Sequence, residues 1–388
     1  MTVVSDAIRQ ARQALGLEPE ALAEAAGIDL GTLGAYESGA REVPGDVLWR
    51  LSDSLGIPLE ELDSPAALRR HVDVMAVRFR AGQQAVPDRV RLAVARAASA
   101  ARDYVELEDL AERPRRYEVL VEQWRGKPAL PRHETWKSGS GLAEDLRQRL
   151  ELRGPVGSML ELVEKRLGAL VIWQKLPVEF AGYALCDEIH GPAIVLNVNG
   201  RNRNELVRRF TLAHEACHVL FDRHDLAALS RFDSYDDFYG YRDDDRKDPH
   251  EIRANAFAIH LLAPELLLKE AWAGARADVR SVMTEFGISF EAARHHLDNY
   301  RLLPLTERLD GVPTSATDEW KMAESSELWY PAFDDIPIER RHAVARLAFE
   351  LWTTGKLTTS RLREGLRVSL GHQQLAELAA LYLGTIAA

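Results

Sequence analysis

The stretch RRFTLAHEACHVLFDRH, Arg208 to His224, decides how the chain is read. It sets His214 and His218 four residues apart, with Glu215 directly after the first. On a helix, residues i and i+4 leave the same face about one turn apart, so both imidazoles can reach one tetrahedral zinc ion. Glu215 points beside such an ion, where a carboxylate takes a proton from water rather than acting as a ligand. This is the H-E-x-x-H arrangement of zinc peptidases. The helix is well specified: Asn204 can cap it, and Leu206, Phe210, Ala213 and Cys217 follow a buried spacing. Five-residue patterns of this kind also occur in structural helices, so the reading turns on a third ligand.

Three residues are candidates. His224 stands ten residues after His214, the spacing of H-E-x-x-H-x-x-G-x-x-H. That pattern needs glycine at its eighth position so that the chain can turn back, and Phe221 occupies it here. His250 has suitable chemistry and stands at a helix start beside Pro249. Glu251, in PHEIRANAFAIHLLAPE (249–265), shares a helix face with Asn255, while Ile252, Ala256, Phe257 and Ile259 bury that helix. In the gluzincin type of peptidase a carboxylate from a second helix completes the zinc shell. Asn255 could then accept the second N–H of a ligand histidine and fix its tautomer.

Composition sets the frame around this site. With 388 residues the chain has room for about two to four domains. Its 46% hydrophobic and 28% charged content is that of a soluble globular protein. No apolar run is long enough to span a membrane, and the start, MTVVSDAIRQARQ, lacks the features of a secretory signal. The two cysteines, Cys186 and Cys217, point to a reducing cytoplasm. A net charge of −11 gives no general attraction for nucleic acid. Neither GxxxxGK[ST] nor GxGxxG is present, which excludes the phosphate-cradling classes.

The expected fold is mainly α with a small α+β domain. From residue 142 onward, ALVIWQ, GYALC and PAIVLNVN read as strands between helices, forming a small antiparallel sheet. AIVLNV is expected as an edge strand able to take an extended substrate. GKPALPRHETWKSGSG, 126–141, is rich in Pro, Gly and Ser and reads as a linker. The expected divisions are an all-α domain at 1–63, a helical connector and linker at 64–141, a zinc peptidase domain at 142–304 and a helical tail at 305–388. The arginines at 69, 70, 78, 80, 89, 91 and 96 are expected on a solvated helix face that pairs with the acidic N-terminus.

Leu22, Ala23, Gly27, Ile28, Thr32, Leu33, Glu37, Gly39, Arg41 and Pro44, followed by LGIPLEEL, resemble the Cro/repressor-type helix-turn-helix family over residues 5–63. That family reads DNA with its third helix. In this chain the reading positions would be Leu30, Gly31, Gly34 and Ala35, which cannot bond base edges. Residues 1–63 hold four arginines and no lysine against twelve Asp or Glu, a balance of −8, whereas phosphate contacts demand positive charge. These features favour a protein-interaction or homodimerisation module. DNA binding would need help from a partner or a second copy.

RRFTLAHEACHVLF and EIRANAFAIHLLAP together resemble the ImmA/IrrE family of bacterial metallo-endopeptidases over residues 142–300. VRFRAG (77–82) resembles the connector of a common fusion with a helix-turn-helix. The resemblance implies that His214, His218 and Glu251 are zinc ligands and Glu215 the catalytic base. It implies amide hydrolysis, with a helix-turn-helix repressor as substrate, in stress response, mobile-element control or toxin–antitoxin loci. Cys217 departs from the glycine usual at its position. Donors for the oxyanion could be Tyr235, Tyr239, Tyr241, His250 or Arg209, and the insert at 225–249 reads as a lid or a solvated loop. Two rival readings are an antitoxin-like protein that binds a neighbour-encoded toxin, such as a PIN-type nuclease, and a DNA-binding autoregulator that senses metal.

Overall fold

The computed structural model describes residues 3–62, 87–124, 135–223, 233–234, 248–274, 278–304, 315–325 and 333–384. The N-terminal helices follow from local chemistry. Helix α1 (Val3–Leu15) buries Ala7, Ile8, Ala11 and Leu15. Helix α2 (Pro19–Ala26) starts on proline and stops at Gly27. Asp29 caps α3 (Leu30–Glu37) by accepting from the Thr32 amide at 2.9 Å. Helices α4 (Gly45–Leu55) and α5 (Leu59–Leu62) complete the bundle. The outer side of α3 presents Leu30, Gly31 and Gly34, with Leu30 46% exposed. The arginines of this bundle are engaged inside it: Arg12 bonds Glu37 twice, Arg9 pairs with Asp6, Arg50 with Asp46, and Arg41 lies over the Tyr36 ring.

Helix α6 (Asp88–Leu110) is a buried spine rather than a solvated basic face. Its alanines let neighbours approach closely: a Cβ on Gly56, which follows α4, would lie 2.2 Å from the Ala95 carbonyl oxygen. Of the arginines expected on a solvated surface, Arg89 is exposed, whereas Arg91 donates to the Leu15 carbonyl at 2.8 Å and Arg96 is half-buried. Arg69, Arg70, Arg78, Arg80 and the VRFRAG element lie outside the described residues. After α7 (Arg116–Gln123), the stretch expected as a linker is partly outside the described residues. From Thr135 onward it is the first half of α8 (Thr135–Arg149). Gly139 serves packing: a Cβ there would stand 2.3 Å from the Arg253 carbonyl oxygen.

Helix α9 (Met159–Glu161) runs into a π-turn at Leu162–Arg166 and then the sheet. Strands β1 (Leu170–Gln174), β2 (Phe180–Asp187), β3 (Gly191–Asn197) and β4 (Asp233–Ser234) lie in the order β1-β3-β2-β4. The β2–β3 hairpin is antiparallel, β1 runs parallel to β3, and β4 pairs antiparallel with β2 at Phe180 and Gly182. AIVLNV is therefore no edge. Its body is β3, hydrogen-bonded on both sides, and its apolar character comes from burial on both faces. Ile194 and Leu196 face one core, and Ala193 and Val195 face the other.

The first core is closed by α10 (Glu205–Cys217), α11 (Pro249–Leu262), α12 (Glu265–Gly274), α13 (Val279–Phe286), α14 (Phe290–Asn299) and α15 (Asp318–Ala323). The second joins α1 to α6, the opposite face of the sheet, and α16 (Ala343–Thr353), α17 (Thr359–Leu366) and α18 (His372–Tyr382). Arg340 ties this tail to α6 through Asp103 Oδ2 at 2.6 Å and Ser99 Oγ at 2.9 Å. Among the described residues no helix is long and apolar enough to cross a membrane.

Candidate metal centre

Helix α10 begins where the Asn204 side chain accepts from the Leu206 amide at 2.9 Å. It is buried on every side, which the apolar spacing alone does not reveal, because Arg208 and Arg209 are buried too. The helix continues past Cys217 as a π-turn, His218–Asp222, a local widening often found at functional sites. Helix α11 starts on Pro249 under a cap from Asp248 and crosses α10, so that Glu251 meets the two histidines.

His214 Nε2 lies 3.1 Å from His218 Nε2 and 3.1 Å from Glu251 Oε2, and His218 Nε2 lies 3.5 Å from Glu251 Oε1. A tetrahedral zinc with bonds of about 2.0–2.1 Å separates its ligand atoms by about 3.3–3.4 Å, so the set has the size of such a site. The other ring nitrogens settle the tautomers. His214 Nδ1 donates to Asn255 Oδ1 at 2.9 Å, and His218 Nδ1 donates to Asp222 Oδ2 at 2.8 Å. Each Nε2 is then a lone pair, and both face a carboxylate. None of the three can donate to another, and such a set of acceptors suits a cation. Burial alone would push the Glu251 carboxyl up; when the two imidazoles hold protons in place of a cation, His218 and His214 outweigh burial and keep the group well below the usual carboxylate range.

Glu215 is buried beside this cluster, facing β2. A Cβ on Gly182 would lie 3.4 Å from Glu215 Oε1 and only 2.6 Å from the Val195 carbonyl oxygen. Glycine there lets the strand run close to the carboxylate. Cys217 is fully buried, and burial pushes its thiol up to about 12, which keeps it an inert packing group.

The remaining sequence candidates separate clearly. His250 is held by Asp248 through Nδ1 at 3.0 Å and is not in the cluster of His214, His218 and Glu251. Arg209 is no oxyanion donor: it is fully buried and bonds Glu324 and the carbonyls of Val156, Gly157 and Gly287. His224, Tyr235, Tyr239, Tyr241 and most of the 225–249 insert lie outside the described residues; within it, Asp233 and Ser234 form β4. Sequence reading missed Asp222. It stands four residues after His218, the same spacing that marks the histidine pair, and could have been found by extending that rule once more.

Residues 165–298 match the family model of the IrrE N-terminal-like domain, and residues 8–62 match that of a helix-turn-helix. No curated protein and no solved structure matches the chain. The chain thus joins an XRE-type helix-turn-helix domain to an IrrE N-terminal-like domain of a metallopeptidase family.

Proposed function

We propose that the chain is a zinc-dependent endopeptidase that cleaves a regulatory protein, either a helix-turn-helix repressor or a neighbour-encoded regulator or toxin. The observation that carries this reading is the convergence of His214 Nε2, His218 Nε2 and the Glu251 carboxylate, with both Nδ1 protons already committed. His214, His218 and Glu251 would hold the zinc. When bound, zinc supplies a Lewis acid that acidifies water and polarises an amide carbonyl. Glu215 takes the proton of the attacking water and returns it to the leaving amine. Asn255 and Asp222 keep the two imidazoles oriented.

The acidic N-terminal bundle supports a protein partner over DNA. Its α3 face is apolar, and its arginines are engaged within the bundle. Recruitment of the substrate is the role this gives it. The test is metal analysis of the purified chain, followed by co-expression with its gene neighbours. About one zinc per chain is expected, with cleavage of one neighbour by wild type. Glu215→Gln should keep the zinc and lose the cleavage. Zinc-free wild type would overturn the proposal. Tight binding of the neighbour without cleavage would favour the antitoxin-like reading instead.

A further inference from the structure

We propose that Arg253 is a positioning residue for the metal centre, acting through Asp222 on the imidazole of His218. The inference rests on the zinc reading above. Arg253 is completely buried on α11, two residues after Glu251. Its Nη2 bonds Asp222 Oδ1, while the other Asp222 oxygen accepts from His218 Nδ1 at 2.8 Å. Among the described residues, Arg253 Nε and Nη1 have no hydrogen-bond partner, so Asp222 is the guanidinium's principal contact. His250 Nε2 stands 3.9 Å from Asp222 Oδ1, too far to take its place.

A guanidinium buried with so few partners is costly to the fold, and its place needs a reason. Charge provides one. Glu215, Asp222 and Glu251 are three buried carboxylates on adjoining segments. A divalent cation and one guanidinium together balance them. Geometry provides the second reason. Asp222 belongs to the π-turn after α10 and Arg253 to α11, so their pair joins the segment bearing His218 to the helix bearing Glu251. His214 is held differently, by the neutral amide of Asn255, and needs no counter-charge.

The test is a double-mutant cycle on zinc affinity, measured against a competing chelator in the full chain, with metal-free melting temperatures recorded alongside. Arg253→Met is expected to weaken zinc binding about tenfold in the wild-type background, the lower end for an outer partner of a ligand. In an Asp222→Ala background the same change should have no further effect. Arg253→Lys, which keeps the charge, should restore most of the affinity, and the visible spectrum of the cobalt-substituted protein should change in Arg253→Met and return in Arg253→Lys. A merely structural arginine would lower the metal-free melting temperature and leave affinity and spectrum unmoved, which overturns the proposal. Stronger zinc binding in Arg253→Met, or an equal loss in both backgrounds, overturns it as well. Wild type that binds no zinc sinks the zinc reading itself, whereas zinc-bound wild type with an unaltered Arg253→Met variant sinks this inference alone.

Discussion

Arg209 sits five residues before His214, and its guanidinium bonds four backbone carbonyls and the Glu324 carboxylate and lies 4.1 Å over the face of Trp320. Glu324 also accepts from the Met159 and Leu160 amides, so one carboxylate caps a helix and neutralises a buried cation. Glu324→Ala leaves that cation without its counter-ion. The expected loss is about 3 kcal/mol, at the low end for a broken buried pair because the carbonyls remain. Urea denaturation of the metal-free chain measures it, and a loss below about 1 kcal/mol would contradict the account. At this scale the pairs His214/His218 and Glu251/Asn255 were legible because helical spacing fixes which side chains share a face. Arg209 was misjudged as a site candidate. Its partners come from segments more than fifty positions away, and spacing carries no record of them.

Helix α11 ends in a neutral polar cluster. His260 Nδ1 donates to the Ala256 carbonyl at 2.7 Å, and its Nε2 meets the Tyr300 hydroxyl at 2.9 Å. His296 Nε2 donates to the Ala263 carbonyl, just past the helix, at 2.8 Å. Burial lowers both histidines, His296 well below its ordinary value, and His260 adds to the shift of His296. A histidine whose folded value is depressed stays neutral in the fold while the unfolded chain takes up a proton below about pH 6.5. Stability is therefore complete above that pH and falls as pH drops below it, by up to about 1.4 kcal/mol per pH unit for each linked proton. The melting temperature should fall between pH 7 and pH 5, and His296→Gln, which keeps a donor without titrating, should flatten that slope. Equal slopes would refute this role. Element types here were largely readable from apolar period. The linker and the edge strand were misread for one reason: Gly139 and β3 are shaped by close contact on all sides, and tight packing resembles flexibility or exposure when only composition is seen.

Across the whole molecule, the tail from Phe333 to Gly384 is built into the same core as the helix-turn-helix. Arg340 anchors it, completely buried, against Asp103, Ser99 and the Gly365 carbonyl. Arg367 reaches the N-terminal bundle, pairing with Asp53 at 3.2 Å and lying over Trp49. Arg340→Met removes the nearer of two arginines that pair with Asp103, Arg102 remaining at 3.4 Å, and is expected to cost about 3 kcal/mol. Because the bundle shares this core, near-ultraviolet signals and resistance to proteolysis in residues 3–62 should be lost together with the tail. A bundle that stays folded after the tail has melted would show the two to be independent. Nothing in the sequence announced this union, since the contacts join positions about three hundred residues apart and the amphipathic helices at each end are compatible with many partners.

The sheet gives that union a mechanical meaning. It is a diaphragm one strand thick between two chambers, with Val195 pressed on by the side that holds the bundle and the tail, and Ile194 by the side that holds the histidines. The Val195 carbonyl abuts Gly182, and Gly182 abuts Glu215. Between the first chamber and the carboxylate of the second stand one backbone contact, Val195 to Gly182, and the approach of Gly182 to the Glu215 side chain.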